Sequence, residues 1–290
     1  MRFSTTLTKK LSYTLRSLQK QTIFHILGLH QEALLHPEAK SLPVSHYFQS
    51  KSHLFRLQQY ASNFLVKSGW WNSFLTLRSV DQNGKPSPWL TYPAIYFIEQ
   101  LDLKNKVVLE FGSGASTLYF SRRCKSVISY ETSRYWYNLF YQKLSPNCLM
   151  HFVSKDLLEE FLQHESSDKL NDLFAHDCLH IFEPESGTSS TSVYDMILNL
   201  KSADVILIYG GPRNTTMSLV AKYCKSGALV IVDNTDAAHN RLGLEFMESS
   251  QFLRIPFWGI GPINTWEWET SIYFKANCDS LNSKWRALFE

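Results

Sequence analysis

Two glycines and one acid carry the clearest chemical meaning in this sequence. The apolar run 107–111 is followed by Gly112 and Gly114, after which the spacing of apolar residues becomes helical. A glycine turn between a strand and a helix lets backbone amides approach a ligand, and a helix N-terminus favours anionic groups. Glu131 ends the next apolar run, 19 positions after Gly112, close to the offset of about 20 at which a carboxylate binds a ribose in nucleotide-binding βαβ units. The pattern predicts an adenosine-containing cofactor bound to an α/β sheet.

Strand-like and helix-like segments alternate through the rest of the chain. Strands are predicted at 107–111, 127–131, 149–153, 204–209 and 228–233. Helices are predicted at 116–123, 134–143, 156–163, 191–201, 213–225 and 239–249. This alternation predicts a Rossmann-like, doubly wound sheet with right-handed crossovers. The last two strand-like runs, 252–257 and 269–275, have no helix between them, so they predict an antiparallel terminal hairpin and hence a mixed sheet.

Composition is that of an ordinary cytoplasmic enzyme. The chain has 290 residues, 44% of them hydrophobic, and a formal net charge of +3. That charge is too small to predict a nucleic-acid partner. Five scattered cysteines, none in a Cys-x-x-Cys pair, favour reduced thiols over a disulfide framework or a zinc site. No apolar run approaches the ~20 residues needed to span a bilayer.

The N-terminal segment differs from the rest. Basic residues and a stripe of leucines at three- and four-residue steps occupy residues 1–31, and no acid precedes Glu32. The pattern predicts an amphipathic helix, and three interpretations stay open: docking on its own domain, peripheral contact with an anionic membrane, or a transit peptide. We therefore divide the chain into a helical extension, 1–68, that acts as a lid or docking element, and a main domain, 69–290.

The glycine turn has a family resemblance. It reads Glu110-Phe-Gly112-Ser-Gly114-Ala-Ser116-Thr117, and Thr117 stands where a nicotinamide-binding Rossmann turn has its third glycine. An acid two residues before the first glycine, with that third glycine missing, resembles motif I of class I S-adenosylmethionine-dependent methyltransferases. Further segments in the same order, 88–95, 130–137, 204–213, 232–234 and 257–275, resemble a group of bacterial methyltransferase-like proteins.

The resemblance implies that S-adenosylmethionine is the cofactor. The cofactor-binding residues that it implies are Glu110, Gly112, Ser113, Gly114, Ser116, Thr117, Glu131 and Asp156. The turn is expected to hold the methionyl carboxylate with amides and hydroxyls, and Glu110 to reach the methionyl ammonium directly or through water. Glu131 is expected to accept the ribose hydroxyls and Asp156 the adenine amine. The structural alternatives are that Glu110 caps the turn and that Asp156 is an ordinary acid at a helix N-terminus.

The ends of the fourth and fifth strands are expected to serve the methyl acceptor. Asp233-Asn234 resembles the Asp-Asn pair of metal-dependent O-methyltransferases, but Tyr209 stands where those enzymes have a metal-binding Asp. A phenol is a poor ligand for a hard cation at neutral pH, so no metal is expected and Asp233 is the candidate base. The residues expected to contact the acceptor are Trp71, Tyr92, Tyr209, Arg213 and Trp258.

Two functions fit these residues. The first is methyl transfer to oxygen or nitrogen of a small molecule or glycan, a reaction that needs alignment and proton removal and no nucleophile triad. The second is a non-catalytic, cofactor-binding interaction module, favoured by Tyr209 and by the basic N-terminal helix. A nicotinamide oxidoreductase is disfavoured because its third glycine is missing.

Overall fold

The structure, a computed structural model, describes residues 53–165, 177 and 187–276. The basic segment 1–31, with its three interpretations, lies outside these residues. The chain forms two compact units, 1–64 and 65–290. Helix α1 (His53–Tyr60) of the first unit is followed by the π-helical segment Ala61–Val66, whose last two residues belong to the second unit. The predicted division at residue 68 stays a prediction.

Strands and helices alternate in the described part of the second unit. The strands are β1 (Val107–Phe111), β2 (Ser126–Glu131), β3 (Cys148–Phe152), β4 (Val205–Ile208), β5 (Leu229–Asp233), β6 (Leu253–Gly259) and β7 (Trp268–Phe274). The helices are α2 (Trp70–Thr76), α3 (Tyr92–Glu99), α4 (Ala115–Ser121), α5 (Arg134–Tyr141), α6 (Lys155–Glu165), α7 (Val193–Ser202), α8 (Arg213–Tyr223) and α9 (Arg241–Ser249). A 3₁₀ turn, Ala238–Asn240, precedes α9.

The strands form one mixed sheet in the order β3-β2-β1-β4-β5-β7-β6. Strands β1 to β5 pair in parallel, whereas β7 is antiparallel to both β5 and β6. This is the strand order of the class I methyltransferase fold, and it confirms the predicted doubly wound sheet with an antiparallel terminal hairpin. Successive strands are added on one side of β1 up to β3 and on the other side from β4 onward, so the carboxyl ends of β1 and β4 form the crevice in which open α/β sheets bind ligands.

The apolar runs form strands because both faces of the sheet are covered. Every residue of β4 and of β5 is buried, as expected for parallel strands packed between two helical layers. Helices α7 and α8 cover one face with Met196, Leu200 and Val220, all at most 1% exposed. Helix α5 begins at Ser133, whose hydroxyl accepts a hydrogen bond from the Trp136 amide, a normal N-cap. Across the described ranges, no helix combines the length and the apolar character needed to cross a membrane.

Candidate functional site

A cavity of about 910 Å³ lies at the carboxyl ends of β1, β2, β4 and β5. Its floor is the glycine turn after β1 together with the last residues of the other three strands. One wall is the hairpin segment 77–89, and the other is formed by α5 and the residues just after it. The predicted site residues that line the cavity are Gly112, Ser113, Gly114, Ser116, Glu131, Tyr209, Arg213, Asp233 and Asn234.

The two glycines of the turn have different roles. Gly112 has φ +104°, and a Cβ there would lie 3.1 Å from the backbone nitrogen of Gly210. The first glycine is therefore required because the turn after β1 approaches the end of β4 closely. A Cβ at Gly114 would have no atom within 4 Å, so this residue leaves open space on the floor of the cavity.

The carboxylate of Glu131 joins the end of β2 to the turn after β1. Its Oε2 accepts hydrogen bonds from the backbone N–H of Ser113 at 2.8 Å and from the Ser113 hydroxyl at 2.6 Å. Its Oε1 accepts from the Ser133 amide at 2.8 Å. Burial raises the pKa of Glu131, while these donors lower it. An ionised carboxylate has about four acceptor positions, so one remains for a ligand while the Ser113 hydroxyl keeps its present position.

Glu110 does not line the cavity, which corrects the expected direct contact with a methionyl ammonium. Its side chain is fully buried, and its Oε2 accepts from Thr117 Oγ1 at 2.6 Å and from Ser129 Oγ at 2.7 Å. The Tyr209 hydroxyl donates to Oε1 at 3.2 Å. Burial raises the pKa of Glu110 to about 7 against these donors. The carboxyl group of Glu110 therefore holds the glycine turn from its buried side, which agrees with the alternative expectation that Glu110 caps the turn.

The hydroxyls of Ser116 and Thr117 are also used within the protein. Thr117 Oγ1 accepts from the Gly114 amide at 3.1 Å while it donates to Glu110. The Ser116 hydroxyl is hydrogen-bonded to the Tyr209 hydroxyl. These contacts correct the expectation that both hydroxyls bind a ligand carboxylate. The amides of Gly112, Ser113 and Gly114 also donate within the protein, so the backbone amides in the first turn of α4 remain as its donors.

Asp233 and Asn234 lie at the end of β5 and line the cavity. Asp233 is 6% exposed, and its Oδ1 accepts from Trp268 Nε1 at 2.9 Å and from Thr270 Oγ1 at 2.7 Å. Burial raises the pKa of Asp233, and the positive charge of Arg213 lowers it. Asn234 has φ +57°, a conformation that Asn tolerates and that turns the chain away from the strand.

Arg213 connects the ends of β4 and β5. Its Nη2 donates to the carbonyl of Tyr209, and its Nη1 donates to Asn234 Oδ1 at 2.9 Å and, more weakly, to the Asp233 carbonyl at 3.4 Å. A cationic group thus contacts the Asp-Asn pair that resembles a metal site. Within the described ranges, no group of three His, Cys, Asp or Glu side chains is placed to hold a metal ion.

Four predicted residues lie away from the cavity. Asp156 is exposed in the first turn of α6, where acids are common, and this placement corrects the expected adenine contact. Trp71 is 46% exposed on α2 and Trp258 is 56% exposed on β6, but neither lines the cavity. Tyr92 is 1% exposed in the first turn of α3 and belongs to the core. These three side chains are therefore removed from the expected acceptor site.

Several cavity residues were missed from the sequence. Trp89, Trp136 and Trp268 line the cavity and give it an aromatic surface. The hairpin that carries the first wall is closed by hydrogen bonds between Asp81 and Lys85. The Asn83-Gly84 pair signals this turn, but nothing in the sequence indicates that the hairpin faces the glycine turn.

Comparison with known proteins gives similarity in fold only. No protein-family model and no curated protein matches the chain. Among solved structures, an O-methyltransferase from Bacillus cereus in complex with SAH is 14% identical, with TM-score 0.41, over 76% of this chain and 97% of that one. A precorrin-6y C5,15-methyltransferase from Geobacter metallireducens is 11% identical, with TM-score 0.40, over 64% and 88%. A spermidine synthase from Thermotoga maritima is 10% identical, with TM-score 0.36, over 61% and 55%. These values are too low to transfer a reaction or a cofactor.

Proposed function

We propose that the protein is an S-adenosylmethionine-dependent methyltransferase that acts on oxygen or nitrogen of a small molecule or glycan. The observation that carries this proposal is the position of Glu131. Its carboxylate lines a cavity at the crevice of the sheet, beside a glycine turn that leads into a helix. This combination suits the ribose of an adenosine-containing cofactor and an anionic group at the turn.

The residues of the cavity fit such a cofactor. Glu131 has acceptor capacity for ribose hydroxyls, and Gly114 leaves open space beside it. A volume of about 910 Å³ is near the upper end of the 300–1,000 Å³ that is typical of small-molecule sites, so it provides room for a cofactor and a second molecule. When bound, S-adenosylmethionine supplies an activated methyl group.

The chain itself supplies orientation and a base. Strand order places Glu131 at the end of β2 and Asp233 at the end of β5, on opposite sides of the β1–β4 crevice. Asp233 Oδ1 is held by Trp268 and Thr270, which leaves Oδ2 to accept the proton of an acceptor hydroxyl or amine. Burial raises the pKa of Asp233, and this moves it toward the range in which a carboxylate is an effective general base.

The buried network around Glu110 favours a second candidate function, a non-catalytic cofactor-binding module. Tyr209 stands at the position where the metal-dependent O-methyltransferases that the sequence resembles have an Asp. Its hydroxyl is hydrogen-bonded to Glu110 and Ser116. Burial raises the pKa of Tyr209 well above its ordinary value, so the phenol stays neutral and is no base. In this second function the cofactor would bind and no methyl group would be transferred.

A turnover assay separates the two functions. The full chain is incubated with methyl-labelled S-adenosylmethionine and pooled hydroxylated and aminated small molecules and glycans, and formation of S-adenosylhomocysteine is measured. Methyl transfer predicts product that is lost in Asp233→Asn, with cofactor affinity unchanged. Cofactor binding without product in any pool would support the interaction module and contradict the enzyme.

A further inference from the structure

We propose that Arg213 binds an anionic group of the methyl acceptor, and that this acceptor has a flat aromatic body. The proposal rests on the proposed function, because it names the class of molecule that enters the same cavity. It assigns to Arg213 a role in specificity that goes beyond connecting two strands.

The charge of Arg213 is incompletely paired. Its three hydrogen bonds go to two backbone carbonyls and to the side-chain amide of Asn234, all of them neutral acceptors. Among the described residues, no carboxylate lies within ion-pair distance of the guanidinium. A guanidinium has five N–H donors, so at least two remain for a ligand.

Arg213 is half-buried, and this partial burial makes the arrangement costly without a ligand. Removal of a charge from water is unfavourable unless an opposite charge compensates it. Burial lowers the pKa of Arg213, and the charges of Asp233 and Asp177 raise it. These two carboxylates favour the guanidinium from a distance and make no direct contact with it. A ligand carboxylate or phosphate at the remaining N–H groups would form the charge-assisted bonds for which a guanidinium is suited.

The walls of the cavity indicate what carries that anion. Trp268 lies on the Arg213 side, while Trp89 and Trp136 stand on the two walls, 48% and 42% exposed. Partly exposed tryptophans around a concave site offer flat apolar surface that a ligand ring would cover. Further apolar lining residues include Leu77, Leu118, Leu139 and Phe140.

The charged side chains that line the cavity favour an anionic ligand. Three cationic side chains line it, Arg78, Lys143 and Arg213, against two carboxylates, Glu131 and Asp233. Glu131 already accepts three hydrogen bonds, and Asp233 accepts two. The cations on the walls would attract an anion toward the cavity, and Arg213 would hold it next to the candidate base.

The test uses two probes with the same aromatic ring and phenol, 4-hydroxybenzoate, which is an anion, and its methyl ester, which is neutral. Each is titrated into the full chain saturated with S-adenosylhomocysteine, and binding is followed by calorimetry or ligand-observed NMR. We expect the acid to bind at least tenfold more tightly than the ester. Arg213→Met is expected to abolish this preference, and Arg213→Gln serves the same purpose if the Met variant does not fold. Lys104→Met, which removes an exposed charge outside the cavity, is the matched control and keeps the preference.

Three results would overturn the proposal. The ester could bind as tightly as the acid, neither probe could bind, or the preference for the acid could survive the loss of Arg213. A fourth result would also overturn it. If Arg213→Met weakened the binding of S-adenosylhomocysteine more than tenfold, Arg213 would bind the carboxylate of the cofactor and not that of the acceptor. If the wild-type chain does not bind S-adenosylhomocysteine, the proposed function fails, and the same titration without it decides the role of Arg213 separately.

Discussion

Ser113 donates two hydrogen bonds to the same carboxylate oxygen of Glu131, from its backbone N–H at 2.8 Å and from its hydroxyl at 2.6 Å. The backbone N–H cannot rotate, because the turn after β1 is held in place and the neighbouring Gly112 amide donates to the Tyr130 carbonyl. The hydroxyl can rotate, so it is the one donor of the pair that a ribose hydroxyl can displace. The backbone bond therefore holds the Glu131 carboxylate in position, and the hydroxyl bond occupies an acceptor position that a ligand hydroxyl would take over.

This relationship predicts a small effect of Ser113→Ala. The variant loses a hydrogen bond that ligand binding would replace, so its affinity for S-adenosylhomocysteine is expected to change less than threefold, and its backbone bond to Glu131 is kept. Calorimetry on both proteins measures this. A loss of tenfold or more would mean that the hydroxyl contacts the cofactor directly.

The two glycines are expected to respond differently to substitution by alanine. Gly112→Ala should lower the free energy of unfolding by about 1–3 kcal/mol, because a side chain at φ +104° is strained and its Cβ meets the Gly210 backbone. Gly114→Ala should leave the free energy of unfolding nearly unchanged and weaken cofactor binding, because its Cβ enters open cavity space. Chemical denaturation and calorimetry on both variants test this pair, and equal destabilisation would contradict it.

The buried Glu110 predicts a pH dependence of stability. Its pKa is about 7 in the folded chain against an ordinary value of 4.5, so between these values the folded state binds more protons than the unfolded state. The stabilising contribution is complete below pH ~4.5 and is lost as pH rises through ~7. Relative to Glu110→Gln, the free energy of unfolding of the wild type should fall over this interval by on the order of 3 kcal/mol. Parallel pH profiles of the two proteins would contradict the assignment.

Much of the fold could be predicted because local patterns determine it. From residue 107 onward, the predicted strands and helices agree with the observed bounds to within two residues. Continuous apolar runs followed by turn residues identify buried parallel strands, and the missing crossover identifies the antiparallel pair. The positions of the glycine turn and of Glu131 were likewise predicted, because each lies directly at the carboxyl end of a parallel strand and these ends meet at the crevice.

The predictions about the site that were wrong concern side-chain direction and contacts between residues far apart in the sequence. Glu110 lies in β1 with its carboxylate directed to Ser129 on the neighbouring strand, and the sequence does not show which face of a fully buried strand a residue occupies. Trp268 reaches Asp233 over 35 positions of chain. Tyr92 is aromatic and lies within the segment 88–95 that carries the family resemblance, but packing places its side chain in the core.

Independence from metal ions is expected from the same geometry. Arg213 already places a positive charge on the Asp-Asn pair at the end of β5, and the Tyr209 phenol at the end of β4 is neutral. Methyl transfer, once an acceptor is found, should therefore survive an excess of EDTA. Turnover that disappears with EDTA and returns with magnesium would show that a cation displaces the guanidinium and that Asp233 is a ligand.

Calorimetric titration of the full chain with S-adenosylhomocysteine tests the central claim most directly. We predict binding at one site, and a loss of more than 1 kcal/mol in Glu131→Ala, because a charged acceptor of hydrogen bonds contributes about 1.5–3 kcal/mol. Asp156→Ala is the matched control: it removes an exposed carboxylate away from the cavity and should keep wild-type affinity. Absence of binding to the folded wild-type chain, or unchanged affinity in folded Glu131→Ala, would contradict the account.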